Sequence, residues 1–255
     1  MKHAIITAGT KGLGKKVTEA FLREGYSVTA TYRSDTKAAQ ALEKEFQHLS
    51  GRLLLLQGDV TRKGDLDSII DASVSSFGRI DCLINNAGPY IFERKKLADY
   101  TDDEWYSMIE GNLSAVFHLF RKAVPVMRRQ KFGRLITYGF QDAGNAPGWL
   151  HRSAFSAAKA GLVSLTKSIA YEEAENGITA NMVSPGNIIG EMKESDIEHA
   201  RAWHDPKTPI GRSGTGEDIA RIIAFLCDEK SDFITGAIID ANGGADVLRR
   251  KQEQQ

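Results

Sequence analysis

The 255 residues carry 33 basic and 33 acidic side chains, for a formal net charge of zero at pH 7. That balance excludes the strong positive field on which proteins devoted to nucleic acid or to an anionic membrane rely, leaving a small molecule or a second copy of the chain as the expected partner. Two cysteines, Cys82 in an apolar run and Cys227 in a helical pattern, show neither a disulfide framework nor metal-ligand spacing and read as buried thiols of a reducing compartment.

The chain starts on a short apolar run, residues 3–8, too brief for a signal peptide; the expected location is the cytoplasm. A helix follows with Leu13, Val17, Ala20 and Phe21 on one face and Gly25 as its stop. Further apolar runs recur at 26–32, 52–57, 80–85, 134–139, 178–183 and 236–240, mostly continuous rather than alternating, as strands buried on both faces of a parallel sheet are. Between them, Thr101 and Glu104 form a capping box ahead of a long helix reaching about residue 130. Ala158, Leu162, Leu165 and Ile169 stripe another helix, and Ile219, Ile222, Ile223 and Leu226 a third. Residues 187–210 are charged and irregular, read either as a mobile loop or small helix over a pocket or as a solvated excursion. The tail, 248–255, reads as frayed. No run approaches the roughly 20 apolar residues of a membrane span. The alternation predicts an α/β fold over 1–255: a single domain with a doubly wound parallel sheet and helices on both faces. Ligands of such folds bind beyond the carboxyl ends of the strands.

Immediately after the first strand stands TAGTKGLGKK, residues 7–16. Gly9, Gly12 and Gly14 let backbone approach a pyrophosphate, and the following helix offers free N–H groups and its dipole to an anion. At the end of the second strand, where a preference for NAD places an acidic side chain, stand Thr31, Tyr32, Arg33 and Ser34, with Asp35 arriving late. Arg33, joined by Lys11, offers two cations where a ribose phosphate lies and favours NADP; the alternative is two solvated surface cations.

With these residues in hand, the chain resembles the short-chain dehydrogenases/reductases, in pattern the 3-oxoacyl carrier-protein reductase-like members. The resemblance covers nearly the whole length through TAGTKGLG, GDV at 58–60, NNAG at 85–88, Asn112 in GNLSAVF, Lys159 in FSAAKAGL, SPG at 184–186 and ITGAIIDANGG at 234–244. It implies a single Rossmann-type dinucleotide-binding domain over 1–255, a cofactor, NADP (NADPH), and a set of roles. Gly9, Lys11, Gly12, Leu13 and Gly14 hold phosphate; Asp59 and Val60 hold the adenine end; Asn86, Ala87 and Gly88 line the cofactor; Pro185, Gly186 and Ile188 meet its nicotinamide side. Lys159 matches the lysine that binds the nicotinamide ribose and lowers the pKa of a catalytic tyrosine, and Asn112 matches the asparagine of the proton relay. The family habit of pairing through the helices matching 101–130 and 153–176 implies a homotetramer or homodimer.

Departures from the family pattern fall on the chemistry. The family tyrosine falls on Phe155 and the family serine on Phe140, so both hydroxyl positions are hydrocarbon. Ala8 replaces the first fingerprint glycine, a change expected to be absorbed by Gly9, and Gly190 replaces a threonine that binds the carboxamide. Loss of a general acid costs about 10² to 10⁴ in rate, so ordinary carbonyl reduction is expected to be severely weakened. Tyr138, two residues before Phe140 on a predicted strand, is the candidate replacement donor, since alternate strand residues face one side. A strand tyrosine is more often core or rim packing. His151 and Asp142 are weaker candidates, in a loop from 140 to 155 that is two residues longer than usual for the family. His199 and His204, five apart, share no helical face, and no metal site is expected. Two functions stay open: an NADP-dependent oxidoreductase with an altered proton donor, acting on a small-molecule carbonyl or activated double bond, and a cofactor-binding protein that works as a sensor or through assembly.

Overall fold

The computed structural model describes residues 1–49 and 51–245; the tail expected to fray, 248–255, lies outside them. Seven strands form one sheet in the order β3-β2-β1-β4-β5-β6-β7. They are β1 (His3–Ile6), β2 (Ser27–Tyr32), β3 (Leu53–Gln57), β4 (Cys82–Asn85), β5 (Gly133–Tyr138), β6 (Ile178–Pro185) and β7 (Ile238–Ala241). Every neighbouring pair is parallel. Each of the seven apolar runs has become a strand. The order reverses direction between β1 and β4, which opens a crevice at their carboxyl ends.

Alternation along the strands divides the core in two. Ala4 and Ile6 of β1 join Val28, Ala30, Ile84, Ile136 and Val183 on one face, against Val17 and Phe21 of α1 (Gly12–Arg23), Leu42 of α2 (Thr36–Glu45) and Ile219, Ile223 and Leu226 of α8 (Gly216–Cys227). Ile5, between them, faces the opposite way with Leu83, Leu135 and Ala180. It meets Leu66 and Ile69 of α3 (Lys63–Phe77), Leu119 and Met127 of α5 (Ala115–Gln130) and Ile169 of α6 (Ser153–Glu173). A strand buried on both sides has no polar face to show, hence the unbroken apolar runs.

The helix termini follow local chemistry. Gly25, at φ +92°, takes the left-handed turn that ends α1. Thr101 and Glu104 make the reciprocal capping box of α4 (Asp102–Ile109), and Thr215 and Asp218 make another at α8. The long helix expected from 101 to 130 is interrupted: between α4 and α5 lies a π-helical turn, Glu110–Ser114. Pro89 packs so closely against this turn that a Cβ on Gly111 would stand 2.3 Å from the proline Cδ, which keeps that position glycine. The widened turn carries Asn112.

Residues 187–210 are neither a plain loop nor a fully solvated excursion. They contain a 3-10 turn at Gly190–Lys193 and the short α7 (Ile197–Arg201). Ion pairing between Lys16 Nζ and Asp196 Oδ1 at 2.5 Å and a hydrogen bond from the Ile197 N–H to Glu217 Oε2 at 2.6 Å moor this stretch to α1 and α8. No helix among the described residues is long and apolar enough to cross a membrane.

Candidate active site

A cleft of about 790 Å³ opens at the switch between β1 and β4, walled by Ala8, Lys11, Gly12, Leu13, Asn86 and Gly88 on one side and by Gly190, Glu191, Lys193, Glu194 and Ser195 on the other. Its floor is close-packed backbone. A Cβ on Gly14 would stand 2.2 Å from the Ala8 carbonyl oxygen and 2.6 Å from Asn86 Nδ2. The Asn86 amide donates to the carbonyls of Thr7 and Ala8, at 3.0 and 3.1 Å, and the Ala87 N–H donates to Thr7 Oγ1 at 2.9 Å. The loop is therefore pinned across the switch point. One expectation needs correction: Ala8, not Gly9, takes the left-handed conformation, at φ +51°. Hydrogen bonds from its own N–H to Thr31 Oγ1 and to its carbonyl from Asn86 hold it there. Gly9 serves packing instead, because a Cβ there would lie 2.9 Å from both Ala30 Cβ and Thr18 Oγ1.

Gly12, at φ +60°, turns its N–H out at the start of α1, and that N–H donates to a carboxylate oxygen, Glu194 Oε1, at 2.7 Å. An anion thus already sits at the helix N-terminus, so the backbone there fits a phosphate group. At the outer end Lys11 Nζ pairs with Asp35 Oδ2 at 2.9 Å, while Arg33 is exposed. Asp59, half-buried, loses some of its acidity to desolvation. Two hydrogen bonds from Thr61 and the charges of Arg33 and Arg62 outweigh that loss and hold its carboxyl below the usual range. Val60 beside it leans on the α3 and α5 core. At the end of β6, Pro185 leads to Gly186, whose N–H donates to the Ala241 carbonyl at 2.9 Å. Ile188 turns its side chain into the core beside Val183 and Ile219 rather than into the cleft.

A second cluster, drawn from the loops after β4 and β5 and from the start of α6, is aromatic. Phe140 stacks on Trp149 with ring centroids 5.2 Å apart, and Phe155 stands 6.2 Å from Phe140, 6.1 Å from Trp149 and 5.0 Å from Tyr90, edge-on to the last two. Lys159, one helical turn beyond Phe155 on α6, is 5% exposed, and its ammonium lies 5.5 Å from the Phe155 ring centre. No hydrogen bond or ion pair meets that ammonium among the described residues, and burial pulls its pKa from 10.5 down to about 8. Asn112, 1% exposed, donates its Nδ2 hydrogens to the carbonyls of Pro89 and Met108 at 2.9 and 3.1 Å. Its Oδ1 is buried without a partner, and a Cβ on Gly88 would come within 2.3 Å of it.

Tyr138 does not join this group. Its ring lies in the core cluster of α1 and α8, on the opposite face of the sheet from Phe140, which packs with Val116, Leu162 and Met182. The parity argument fails because β5 ends at Tyr138 and the chain turns after Gly139. Its buried phenol, pushed well above the ordinary value by desolvation, faces apolar neighbours. The Asp142 carboxylate is occupied locally, accepting from Asn145 Nδ2 at 2.6 Å, and its N–H donates to Asp240 Oδ2 at 3.2 Å.

Sequence reasoning missed Tyr90, Trp149, Arg152 and Glu194. Arg152 donates from Nε to Tyr90 Oη at 2.6 Å and from its terminal nitrogens to the carbonyls of Glu93 and Phe92, at 2.7 and 2.9 Å. It thereby stitches the loop after β5 to the loop after β4. Tyr90 stands two residues after NNAG, a position that could have drawn notice; a cation reaching it from residue 152 leaves no local signal. Asp142, Ala146 and His151 all adopt positive φ, from +50° to +63°, so this loop carries backbone strain of the kind found at functional sites.

Comparison with known proteins agrees with this geometry. Residues 7–246 match the family model described as enoyl-(acyl carrier protein) reductase. A Bacillus subtilis (strain 168) protein named "Putative oxidoreductase YtkK" is 66% identical over 253 residues, covering 99% of both chains. The 3-oxoacyl-(acyl-carrier-protein) reductase FabG of Staphylococcus aureus strain Mu50 is 34% identical over 243 residues, 95% of this chain and 97% of that protein. A solved Bacillus thuringiensis structure, described as a putative 3-oxoacyl-reductase, superposes with a TM-score of 0.92 at 61% identity, over 97% of this chain and 99% of that one. The chain belongs to the short-chain dehydrogenase/reductase family, a family of oxidoreductases.

Proposed function

We propose that the chain is an NADP(H)-dependent oxidoreductase that protonates its substrate from an unusual side chain and acts on a carbonyl or an activated double bond. The observation that carries this reading is Lys159, a side chain 5% exposed whose ammonium meets no carboxylate, in a chain whose glycine cradle already binds an anion at its first free amide. An unpaired buried cation is costly, and a bound ribose offers hydroxyl acceptors that would repay it. The dinucleotide, once bound, supplies the hydride. The α1 N-terminus holds its pyrophosphate, Asp59, Val60 and Asn86 to Gly88 line its length, Pro185 and Gly186 flank the nicotinamide, and Lys11 and Arg33 grip the ribose phosphate.

The proton needs another source, because Phe155 and Phe140 stand where the family resemblance places the tyrosine and serine. Tyr90 is the hydroxyl that ring contact brings against Phe155. Its oxygen accepts from Arg152, which leaves its own O–H free to donate to a developing alkoxide or enolate, and the guanidinium charge favours the phenolate left behind. The chain thus pairs a tyrosine with an arginine where relatives pair one with a lysine, and Asn112, through its unpartnered Oδ1, is placed to hold a relay water. A second reading, cofactor binding without turnover as a sensor or assembly protein, draws on the apolar wall that Phe140, Trp149 and Phe155 make around Lys159. Self-association through α4, α5 and α6 fits either.

Fluorescence titration with NADPH and NADH tests the binding half; equal weak affinities would refute the roles of Lys11 and Arg33. Carbonyl, enone and quinone panels assayed with the native chain and Tyr90→Phe test the chemistry. The Tyr90→Phe variant is expected to lose about 10²-fold in rate with cofactor affinity unchanged. Turnover in no panel member, with NADPH bound tightly, would favour the second reading.

A further inference from the structure

The carboxylate at the mouth of α1 comes from the chain itself. Glu194 Oε1 accepts the Gly12 N–H at 2.7 Å, and Oε2 lies 3.8 Å from Lys15 Nζ. Its approach is fixed by a strap, residues 190–196, that runs over the phosphate end of the cleft. The Lys193 side chain lies across Gly12, with Cδ 3.9 Å from where a Cβ on that glycine would stand. The strap is tied at its far end by the Lys16–Asp196 ion pair and by the Glu217 N–H donating to the Ser195 carbonyl at 3.4 Å. Its carbonyl at Lys193 is packed so closely on α8 that a Cβ on Gly216 would stand 2.0 Å away.

We infer that Glu194 is an internal anion seated in the pyrophosphate position, so that the dinucleotide binds by exchange with it. The inference rests on reading the cleft as a dinucleotide site. The physical ground is simple: the Gly12 N–H has one hydrogen to give, and a carboxylate and a phosphate cannot share that place without strong like-charge repulsion. With the carboxylate seated, the orphan amide of the helix N-terminus is satisfied and the strap stays ordered. With the pyrophosphate seated, the strap must lift or turn its side chain away. The measured affinity is then the intrinsic one reduced by the fraction of molecules whose strap is open. Glu194 and its tethers therefore set how much cofactor is needed to fill the site.

The test is a fluorescence titration of the full chain with NADPH, comparing the native protein with Glu194→Ala, Glu194→Gln and Glu191→Gln. Glu191 lines the same cleft but makes no hydrogen bond to α1 among the described residues. Glu194→Ala should bind NADPH about tenfold more tightly and Glu194→Gln by less, since an amide oxygen still accepts from Gly12 but without the charge. Glu191→Gln should stay within about twofold of native, as expected of a screened surface charge. Without any ligand, backbone hydrogen exchange of the 10–16 segment should be faster in Glu194→Ala than in the native chain. An unchanged or weaker affinity for Glu194→Ala overturns the inference. An equal gain in Glu191→Gln overturns it too, since that pattern reports repulsion at a distance rather than occupation of the seat. Measurable and equal affinities in all four proteins refute the seat alone, whereas no NADPH binding in any of them removes the dinucleotide reading beneath it.

Discussion

At the phosphate end of the cleft the polar groups are answered: Asn86 by two carbonyls, Thr7 Oγ1 by the Ala87 N–H, Gly12 by Glu194, Lys11 by Asp35. At the aromatic end the Lys159 ammonium has a ring for company, and Asn112 Oδ1 is buried without a partner. The first end is made of backbone, whose geometry is set by glycine and by left-handed residues. The second is made of side chains leaning on side chains. A cradle of backbone is satisfied in advance and, on the proposed reading, recognises what all dinucleotides share. A largely buried cation without a protein partner carries a desolvation cost, and on the proposed reading it is there that selection among chemistries is made without disturbing the cradle.

The comparison breaks first at Gly14. A methyl group there meets the Ala8 carbonyl oxygen at 2.2 Å, a backbone atom that cannot swing aside. Gly14→Ala should cost about 3 kcal/mol or more of stability, the range of severe overpacking. A denaturant midpoint lowered by less than the equivalent of about 1 kcal/mol would show that the cradle is loose.

Lys159→Met should act in the opposite sense. The unfolded chain holds this proton with a pKa of 10.5 and the folded one with about 8, so between those values the unfolded state binds more protons and native stability rises with pH. Below pH 8 the whole penalty is present. Removing it should stabilise the variant by about 2 kcal/mol, once roughly 1 kcal/mol of lost cation–π attraction to Phe155 is set against it. The gain should shrink from pH 8 upward and vanish near 10.5, while NADPH affinity falls at every pH. A variant less stable than native at pH 7 would mean that Lys159 has a partner the apolar wall does not supply.

The two ends were also unequally legible in the sequence. Strand positions, the crevice and the glycine cradle follow from unbroken apolar runs and from Gly9, Gly12 and Gly14, because a parallel sheet and a tight strand-to-helix turn admit few alternatives. Two details escaped: Ala8 bears the left-handed turn, held by hydrogen bonds with Thr31 and Asn86, both distant in sequence, and a π-turn splits the helix at Asn112. At the aromatic end reading by residue fared worse. Phe140, Phe155 and Lys159 do meet, but the parity that put Tyr138 beside them lapses where β5 stops. The contact of Arg152 with Tyr90, 62 residues apart, is a product of two loops folding onto each other. Side-chain clusters built from loops have no period to read.

A smaller effect sharpens the outer edge of the cradle. If Lys11 and Arg33 select the ribose phosphate, replacing either with Ala should weaken NADPH about tenfold and leave NADH within about twofold, the worth of one charge-assisted contact. Titration of both cofactors reads this directly, and a parallel loss for NADH would make these cations general anchors.

The smallest expected change concerns Asp35, which competes with that phosphate for Lys11. The pair is exposed at both ends, with side chains 62% and 39% accessible, so it contributes little to folding. Asp35 also accepts from the Ala38 N–H at 3.1 Å as the cap of α2, a task asparagine performs as well as aspartate. Asp35→Asn should therefore leave the melting temperature where it is while freeing Lys11 to turn toward the cofactor, tightening NADPH by about twofold at low salt and leaving NADH alone. In about 0.5 M salt the gain should disappear, because screening over a few ångströms already dissolves the competition it relieves. A gain shared by NADH would place Asp35 against the ribose itself, and the late acidic residue of the second strand would then be reading hydroxyls after all.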